Sequence, residues 1–285
     1  MKTRKKKTKK TKQNSTKRNK SSKNTLQCST RKKSNKYQIG TSGFMVSQKI
    51  WFNLGCLNCI EINSTFYRLP SSKLIENWRN FPENVSIVIK ASRYITHMKR
   101  LNDVEEGWKV LWNSIKPLGS KLQAILFQLP ASFTYKDDNM KRIEKMSKYI
   151  PTNLNIVFEF RDISWFKQEV YDKFKKMKWC ISATYIQKKV DSKWMGTMPS
   201  GLNLPPRTTN FNYLRIHGGR GYKGSLNENQ LKEIKKQIDK QAGKESFIMF
   251  NNTFFDPRNK FCMINNNKIK YAAVCNAVEF TTITI

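Results

Sequence analysis

Charged side chains interrupt several otherwise apolar runs of this chain at spacings that suit chemistry. Glu61 lies within Cys59–Thr65, Lys90 within Ser86–Ser92, Glu159 and Arg161 within Asn155–Arg161, and Arg215 and His217 within Phe211–His217. In a strand, residues i and i+2 share a face. That rule turns Ile60, Ile62, Phe158, Phe160, Leu214 and Ile216 one way, and Glu61, Asn63, Glu159, Arg161, Tyr213, Arg215 and His217 the other. Lys90, Ser92, Gln128, Thr184 and Asn251 fall on the same inner face by the same count.

An unpaired charge inside a protein is prohibitive, so such groups must pair, meet water or hold a ligand. The candidate catalytic residues are Glu61, Lys90, Glu159 and His217. Either carboxylate could act as a general base, and Lys90 or His217 as an acid or electrophile. A lysine near carboxylates could also form a Schiff base. Asn63, His97, Gln128, Arg161, Arg215 and Asn251 are the candidate ligand-binding residues. Three cations against two carboxylates suit a small anionic or polyhydroxyl ligand. The competing reading is an ion network that neutralises itself and only caps the core.

Two histidines, His97 and His217, with Glu61 and Glu159 are a thin ligand supply, and multinuclear zinc sites use more His and Asp. No metal site is expected, and no cofactor is named by the residues. Cys56 and Cys59 form a C-x-x-C without a second pair to complete a zinc site. The six cysteines read as buried free thiols in a reducing compartment.

These residues need elements to position them. Eight short apolar runs follow residue 36: Ile39–Ser42, Cys59–Thr65, Ser86–Ser92, Leu122–Pro130, Asn155–Arg161, Trp179–Tyr185, Phe211–His217 and Ser246–Asn252. Near-continuous apolar character suits parallel strands buried on both faces. Helical spacing lies between most of them. Leu74, Trp78 and Phe81 follow a Ser71-Ser72 cap, and Val104, Trp108, Leu111, Ile115 and Leu118 follow Asn102-Asp103. Met140, Ile143, Met146 and Ile150 precede Pro151; further helices are expected over 164–178, from near Ser225 through Leu231, Ile234 and Ile238, and over 271–280. The repeated alternation predicts an α/β fold, a TIM-type (β/α)8 barrel, with the polar cluster at its C-terminal mouth. An open doubly wound sheet is the rival, but no glycine-rich loop follows the first run. The stretches 186–210 and 253–270 read as long loops on the same face.

The strings on this face also resemble a known family. Gly40-Thr41-Ser42-Gly43, the run from Glu61 to Pro70, the run from Lys90 to His97, Phe127-Gln128-Leu129-Pro130 and Glu159-Phe160-Arg161 with Trp165 are similar to the YecE-like family. Arg215-Ile216-His217-Gly218, Phe250-Asn251-Asn252 and Asn276-Ala277 continue the match in the family's order. That family is catalogued as domain of unknown function 72. The resemblance implies a TIM-type barrel with these residues around its mouth, and no settled reaction. Met45-Val46 and the stretch between the sixth and seventh runs depart from it.

Composition bounds the rest. The 285 residues hold 54 Lys and Arg against 20 Asp and Glu, a net charge of +34. Residues 1–36 carry sixteen basic residues and no acid, and the remaining 249 carry 38 basic against 20 acidic, or +18. The first segment is expected to be a disordered basic tail, and 37–285 a single barrel domain. The tail could bind nucleic acid by releasing counterions, or reflect only an A·T-rich coding bias. No apolar run reaches the roughly 20 residues of a membrane span, so no membrane partner is expected. No apolar segment follows the basic start, which predicts an intracellular rather than secreted protein. Three functions compete: a barrel enzyme of hydrolase or isomerase type whose reaction the residues leave open, a nucleic-acid-binding or nucleic-acid-processing protein, and a catalytically silent barrel.

Overall fold

Each of the eight apolar runs contains a strand. The computed structural model describes Leu26, Cys28 and residues 36–187, 196–219, 223–241, 243–255 and 261–284. The basic tail expected over 1–36 lies outside these residues except for Leu26, Cys28 and Lys36. In chain order the strands are β1 (Tyr37–Ser42), β2 (Cys59–Ile62), β3 (Ser86–Lys90), β4 (Leu122–Gln128), β5 (Ile156–Glu159) and β6 (Cys180–Ile181). They continue with β7 (Ala183–Ile186), β8 (Gly201–Asn203), β9 (Phe211–His217), β10 (Glu245–Phe250), β11 (Cys262–Ile264) and β12 (Asn267–Ile269).

Ten of these form one sheet in the order β6-β5-β4-β3-β2-β1-β10-β9-β7-β8. Every neighbouring pair is parallel except β7 with β8. The fold is thus mixed α/β, with a mostly parallel sheet curled as a half-barrel and helices against it. The sixth run differs from expectation because it is split. Ser182 separates β6, which lies on β5, from β7, which lies on β9. Its backbone N–H donates to Phe158 O at 2.8 Å.

Curling the sheet sorts the strand side chains into two apolar groups. Cys59, Val88, Ala124, Leu126, Val157, Cys180, Tyr213, Phe247 and Met249 cluster together on the concave side. Ile60, Ile87, Ile125, Phe158, Leu214 and Ile248 belong to the larger cluster that also takes in the helices. The two-residue period alone produces this division. Gly40 permits a close approach of β1 to β2, since a Cβ there would fall 1.5 Å from Cys59 O.

Helices cover the convex side. They are α1 (Gln48–Asn53), α2 (Ser72–Arg79), α3 (Glu105–Ile115), α4 (Asp137–Met146), α5 (Gln168–Met177), α6 (Glu228–Lys240) and α7 (Ala272–Thr282). Their buried residues recur at three and four: Trp108, Leu111 and Ile115 on α3, Met140, Ile143 and Met146 on α4, Leu231, Ile234 and Ile238 on α6. Each such side chain contributes about 1.5–3 kcal/mol on burial. Ser71 caps α2 by accepting from Leu74 N. Helix α6 opens two residues later than Ser225, because Asn227 and Gln230 form a reciprocal capping box.

The long loops contain more structure than their composition suggests. β8 returns antiparallel onto β7, and β11–β12 form a hairpin whose turn places Asn265 and Asn266 at φ 44 and 64. Asn tolerates that left-handed backbone, which primed hairpin turns require. The cysteine reading is corrected as well. Cys28 is bonded to Cys56 and Cys262 to Cys275, while Cys59 and Cys180 are buried thiols. Folding brings each bonded pair together, which spacing could not show: their Cα atoms lie 5.5 and 6.1 Å apart. Among the described residues no helix is long and apolar enough to cross a membrane.

Candidate functional site

Strand register sets the inner polar residues at matching heights. Ser42 lies beside Glu61, Gln128 beside Glu159, and Thr184 beside Arg215. Above the concave apolar cluster these groups join into a chain of ion pairs. The Arg215 guanidinium donates to both oxygens of Glu61, from Nε at 3.0 Å and from Nη2 at 2.7 Å. Its Nη1 donates to Glu159 Oε2 at 2.6 Å. The other oxygen of Glu159 accepts from Arg161 Nε at 2.6 Å, and the Tyr213 hydroxyl donates to Glu61 at 2.7 Å. Glu61 and Glu159 are fully buried, with no exposed surface. Two carboxylates therefore meet two guanidiniums in a geometry good enough to offset much of their desolvation.

Burial alone would raise the Glu159 carboxyl, but Arg161 and Arg215, helped by His217, hold it well below the usual carboxylate range. Burial works against the Arg215 charge too, yet Glu159 and Glu61 more than compensate and raise its pKa. The Tyr213 hydroxyl is pushed well upward by burial and by Glu61 beside it. His217 completes this layer. Asn251 Nδ2 lies 3.3 Å from His217 Nδ1, so the amide donates and leaves the ring proton on Nε2. That nitrogen is 3.5 Å from Glu159 Oε1 and has no hydrogen-bond partner. Burial lowers the His217 pKa to about 4.

A cavity of about 510 Å³ opens above the network. Arg161 and Arg215 line its floor, and Lys90, Arg93, His97, Asn63, Gln128 and Asn251 its wall. No carboxylate lines it among the described residues. Glu61, Glu159 and His217 lie beneath the floor, whereas Lys90 and all six proposed ligand-binding residues face the cavity. The candidate residues are gathered in one place but in two layers.

Lys90 ends β3 with its Nζ 4.1 Å from the centre of the Phe66 ring, a cation–π contact. No carboxylate lies within ion-pair distance of it among the described residues. Burial first, then the Arg215 charge, lowers its pKa to about 7, against the opposing pull of Glu61 and Glu159. His97 packs edge-on against the same Phe66 ring at 4.9 Å. Its Nδ1 lies 2.9 Å from the Thr96 hydroxyl, which also contacts Ser92 O at 3.0 Å. Burial and the neighbouring Lys90 and Arg161 charges lower the His97 pKa to about 4. It sits in a π-helical turn, Tyr94–Met98, a wide turn often found at functional sites.

Sequence reasoning left Phe66, Tyr67, Arg93 and Thr253 out of the candidate residues, although all four line the cavity. The available signal was their position three to five residues beyond the ends of β2, β3 and β10. Asn276, by contrast, works in the scaffold: it accepts from Leu226 N at 2.9 Å, donates to Leu226 O at 2.8 Å, and accepts from Asn252 at 2.9 Å. Among the described residues no group of three or more His, Cys, Asp or Glu side chains is placed to hold a metal ion.

Comparison with known proteins agrees with this architecture. A family model described as "Protein of unknown function DUF72" matches residues 47–283. A DUF72 family protein from Enterococcus faecalis V583 superposes with a TM-score of 0.69 at 19% identity, covering 89% of this chain and 99% of that one. Another, from Thermotoga maritima MSB8, gives a TM-score of 0.69 at 23% identity, covering 87% of this chain and 99% of that one. At these identities the likeness is one of fold. No curated protein matches the chain.

Proposed function

We propose a function on the premise that this chain belongs to the DUF72 family, which supplies a fold and leaves the reaction open. The cavity binds a small ligand bearing an anionic group, and the protein is an enzyme or sensor acting on that ligand. One observation carries this reading. The two buried carboxylates are matched by Arg161 and Arg215, which leaves Lys90 as a cation without a counter-ion over Phe66. An anion in the cavity would serve as that counter-ion, and Arg93 adds a second charge at the wall. The amides of Asn63, Gln128 and Asn251 suit hydroxyl groups on the remainder of the ligand; Asn63 Oδ1 is buried without a hydrogen-bond partner.

In this reading Glu61, Glu159 and His217 are positioning residues. Glu61 and Glu159 hold the guanidiniums at the floor, with His217 beside Glu159, while Lys90 and His97 are the groups that meet the ligand. A complete (β/α)8 ring belongs to the same proposal. The opposite ends of the parallel strand order, β6 and β7, are halves of one segment broken only at Ser182, and this continuity supports a closed ring.

Binding of ribose 5-phosphate and of ribose, followed by calorimetry at pH 8, tests the reading. The phosphate ester should bind and the neutral sugar should not. Binding should take up close to one proton as Lys90 regains its charge, and both effects should vanish in Lys90→Met. Equal affinity for the two sugars would sink it.

A second reading takes the anion to be part of a nucleic acid. It is favoured by Tyr67, 78% exposed at the cavity, and Tyr94, 45% exposed beside Arg93, since aromatic side chains among cations suit stacked bases. Affinity for a single strand would then fall steeply with salt. It should also persist after deletion of residues 1–25, which isolates the contribution of the cavity from that of the tail.

A further inference from the structure

We infer that Lys90 is a nucleophilic amine that forms an imine with a carbonyl ligand carrying an anionic group; this rests on the anion-binding reading of the same cavity. The division of labour among the cations points to it. Arg93, Arg161 and Arg215 are permanently charged and already supply the fixed positive field at the floor and wall. Lys90 can add its charge when protonated, and when neutral it brings a lone pair that no guanidinium has. The amine rests on the apolar face of Phe66 with no carboxylate in ion-pair contact among the described residues, and Arg215 charge stands close by. Desolvation beside another cation is the standard route to a lysine that is nucleophilic near neutral pH.

The backbone around the amine is held firmly. Lys90 pairs with Leu126 across the sheet, the next N–H, that of Ala91, donates to Leu126 O at 2.9 Å, and the Thr65 hydroxyl lies 2.7 Å from Lys90 O. A reacting group at a strand end is better aimed than one on a loop.

The step balances without an added oxidant or reductant. The neutral Nζ lone pair attacks the carbonyl carbon, the carbonyl π pair moves to oxygen, and the proton shed by nitrogen joins that oxygen to give a carbinolamine. The hydroxyl then leaves as water after taking one proton from solvent, and a protonated imine remains. The anionic group of the ligand offsets this cation, while the floor arginines stay paired with Glu61 and Glu159.

Borohydride trapping tests the inference on the full chain, with pyridoxal 5′-phosphate and pyridoxal as probes. Peptide mass mapping at pH 7 reads which lysine carries the reduced adduct. A lysine of pKa about 7 is half neutral there, against roughly one in 2,500 for an exposed lysine of pKa about 10.4. Lower basicity costs part of this advantage, and a preference for Lys90 of at least about ten-fold is expected. Lys90→Arg should lose the Lys90 adduct, and thermal unfolding shows that it has folded. Preferential labelling of Lys90 by pyridoxal 5′-phosphate, suppressed by inorganic phosphate, supports the inference. Preferential labelling of Lys90 by both aldehydes alike, indifferent to phosphate, supports the imine and removes the anion-binding reading. Phosphate binding with the label spread over surface lysines, or absent, overturns the imine and leaves that reading intact.

Discussion

Replacing Lys90 by methionine should make the protein more stable at low pH and progressively less so, relative to wild type, as pH rises. The ammonium in the wild-type cavity has a pKa of about 7, whereas in the unfolded chain a lysine titrates near 10.4. Between these values the unfolded state binds one more proton than the folded state, so wild-type stability rises with pH. The slope is about 1.4 kcal/mol per pH unit. The penalty for the buried charge is fully present below pH 7 and has gone by pH 10.4. Across that whole window the change reaches about 5 kcal/mol at most, because the amine faces an open cavity and water relieves part of its burial. Methionine has similar length and no charge, so its own curve lacks this component. Denaturant unfolding in phosphate-free buffer at pH 6, 7.5 and 9 reads the difference directly. The gap between variant and wild type should narrow by roughly 2 kcal/mol or more from pH 6 to 9. A gap constant to within about 0.5 kcal/mol would show that Lys90 keeps an ordinary pKa, and the argument for an unmatched cation would fall with it.

Four further outcomes concern the buried groups around the cavity. Arg215→Met should cost about 3–5 kcal/mol at pH 7, because it strips the buried Glu61 of its guanidinium and leaves Glu159 with Arg161 alone; a loss under 1 kcal/mol by urea unfolding would deny the network its structural weight. Glu159→Gln should flatten the acid side of the stability curve, since a carboxyl held below its unfolded pKa contributes stability above about pH 4.5 that is lost as pH falls through the folded value. Proton NMR should show two histidine C2 resonances, from His97 and His217, that do not shift between pH 5.5 and 8, because burial lowers both pKa values to about 4; a midpoint near 6.5 in either would contradict its placement. A colorimetric thiol reagent should find two reactive thiols, Cys59 and Cys180, in the unfolded unreduced protein and six after reduction. Neither should react in the native state, where burial pushes both thiols up to about 12.

In the proposed reading, one set of charges has both a structural and a functional use. The carboxylates secure the guanidiniums, and those guanidiniums line the floor of the cavity. A self-neutralising network and the proposed binding pocket, which compete as readings of the sequence, are compatible because an arginine has five donors and the carboxylates occupy only some of them. The surplus cation then lies one layer higher, on Lys90.

What could be read from the chain alone was whatever depends on near neighbours. The two-residue period of a strand is set by the backbone, so Glu61, Glu159, Arg161, Arg215 and His217 could be assigned to the face opposite Ile60, Phe158 and Ile216 without coordinates. Helix stripes such as Trp108, Leu111 and Ile115 follow from 3.6 residues per turn in the same way. Pairing is another matter. Glu61 and Arg215 are 154 residues apart, and their bidentate contact depends on strand register at distant parts of the sheet. The partner of Cys56 is Cys28 rather than nearby Cys59, because β2 buries Cys59 on the concave side. The direction of His97 waited on a π-helical turn, and the break at Ser182 on the sheet's curl. Above all, a pKa is a sum over everything that surrounds a group, so only the tertiary structure could separate Arg161 and Arg215, matched by carboxylates, from Lys90.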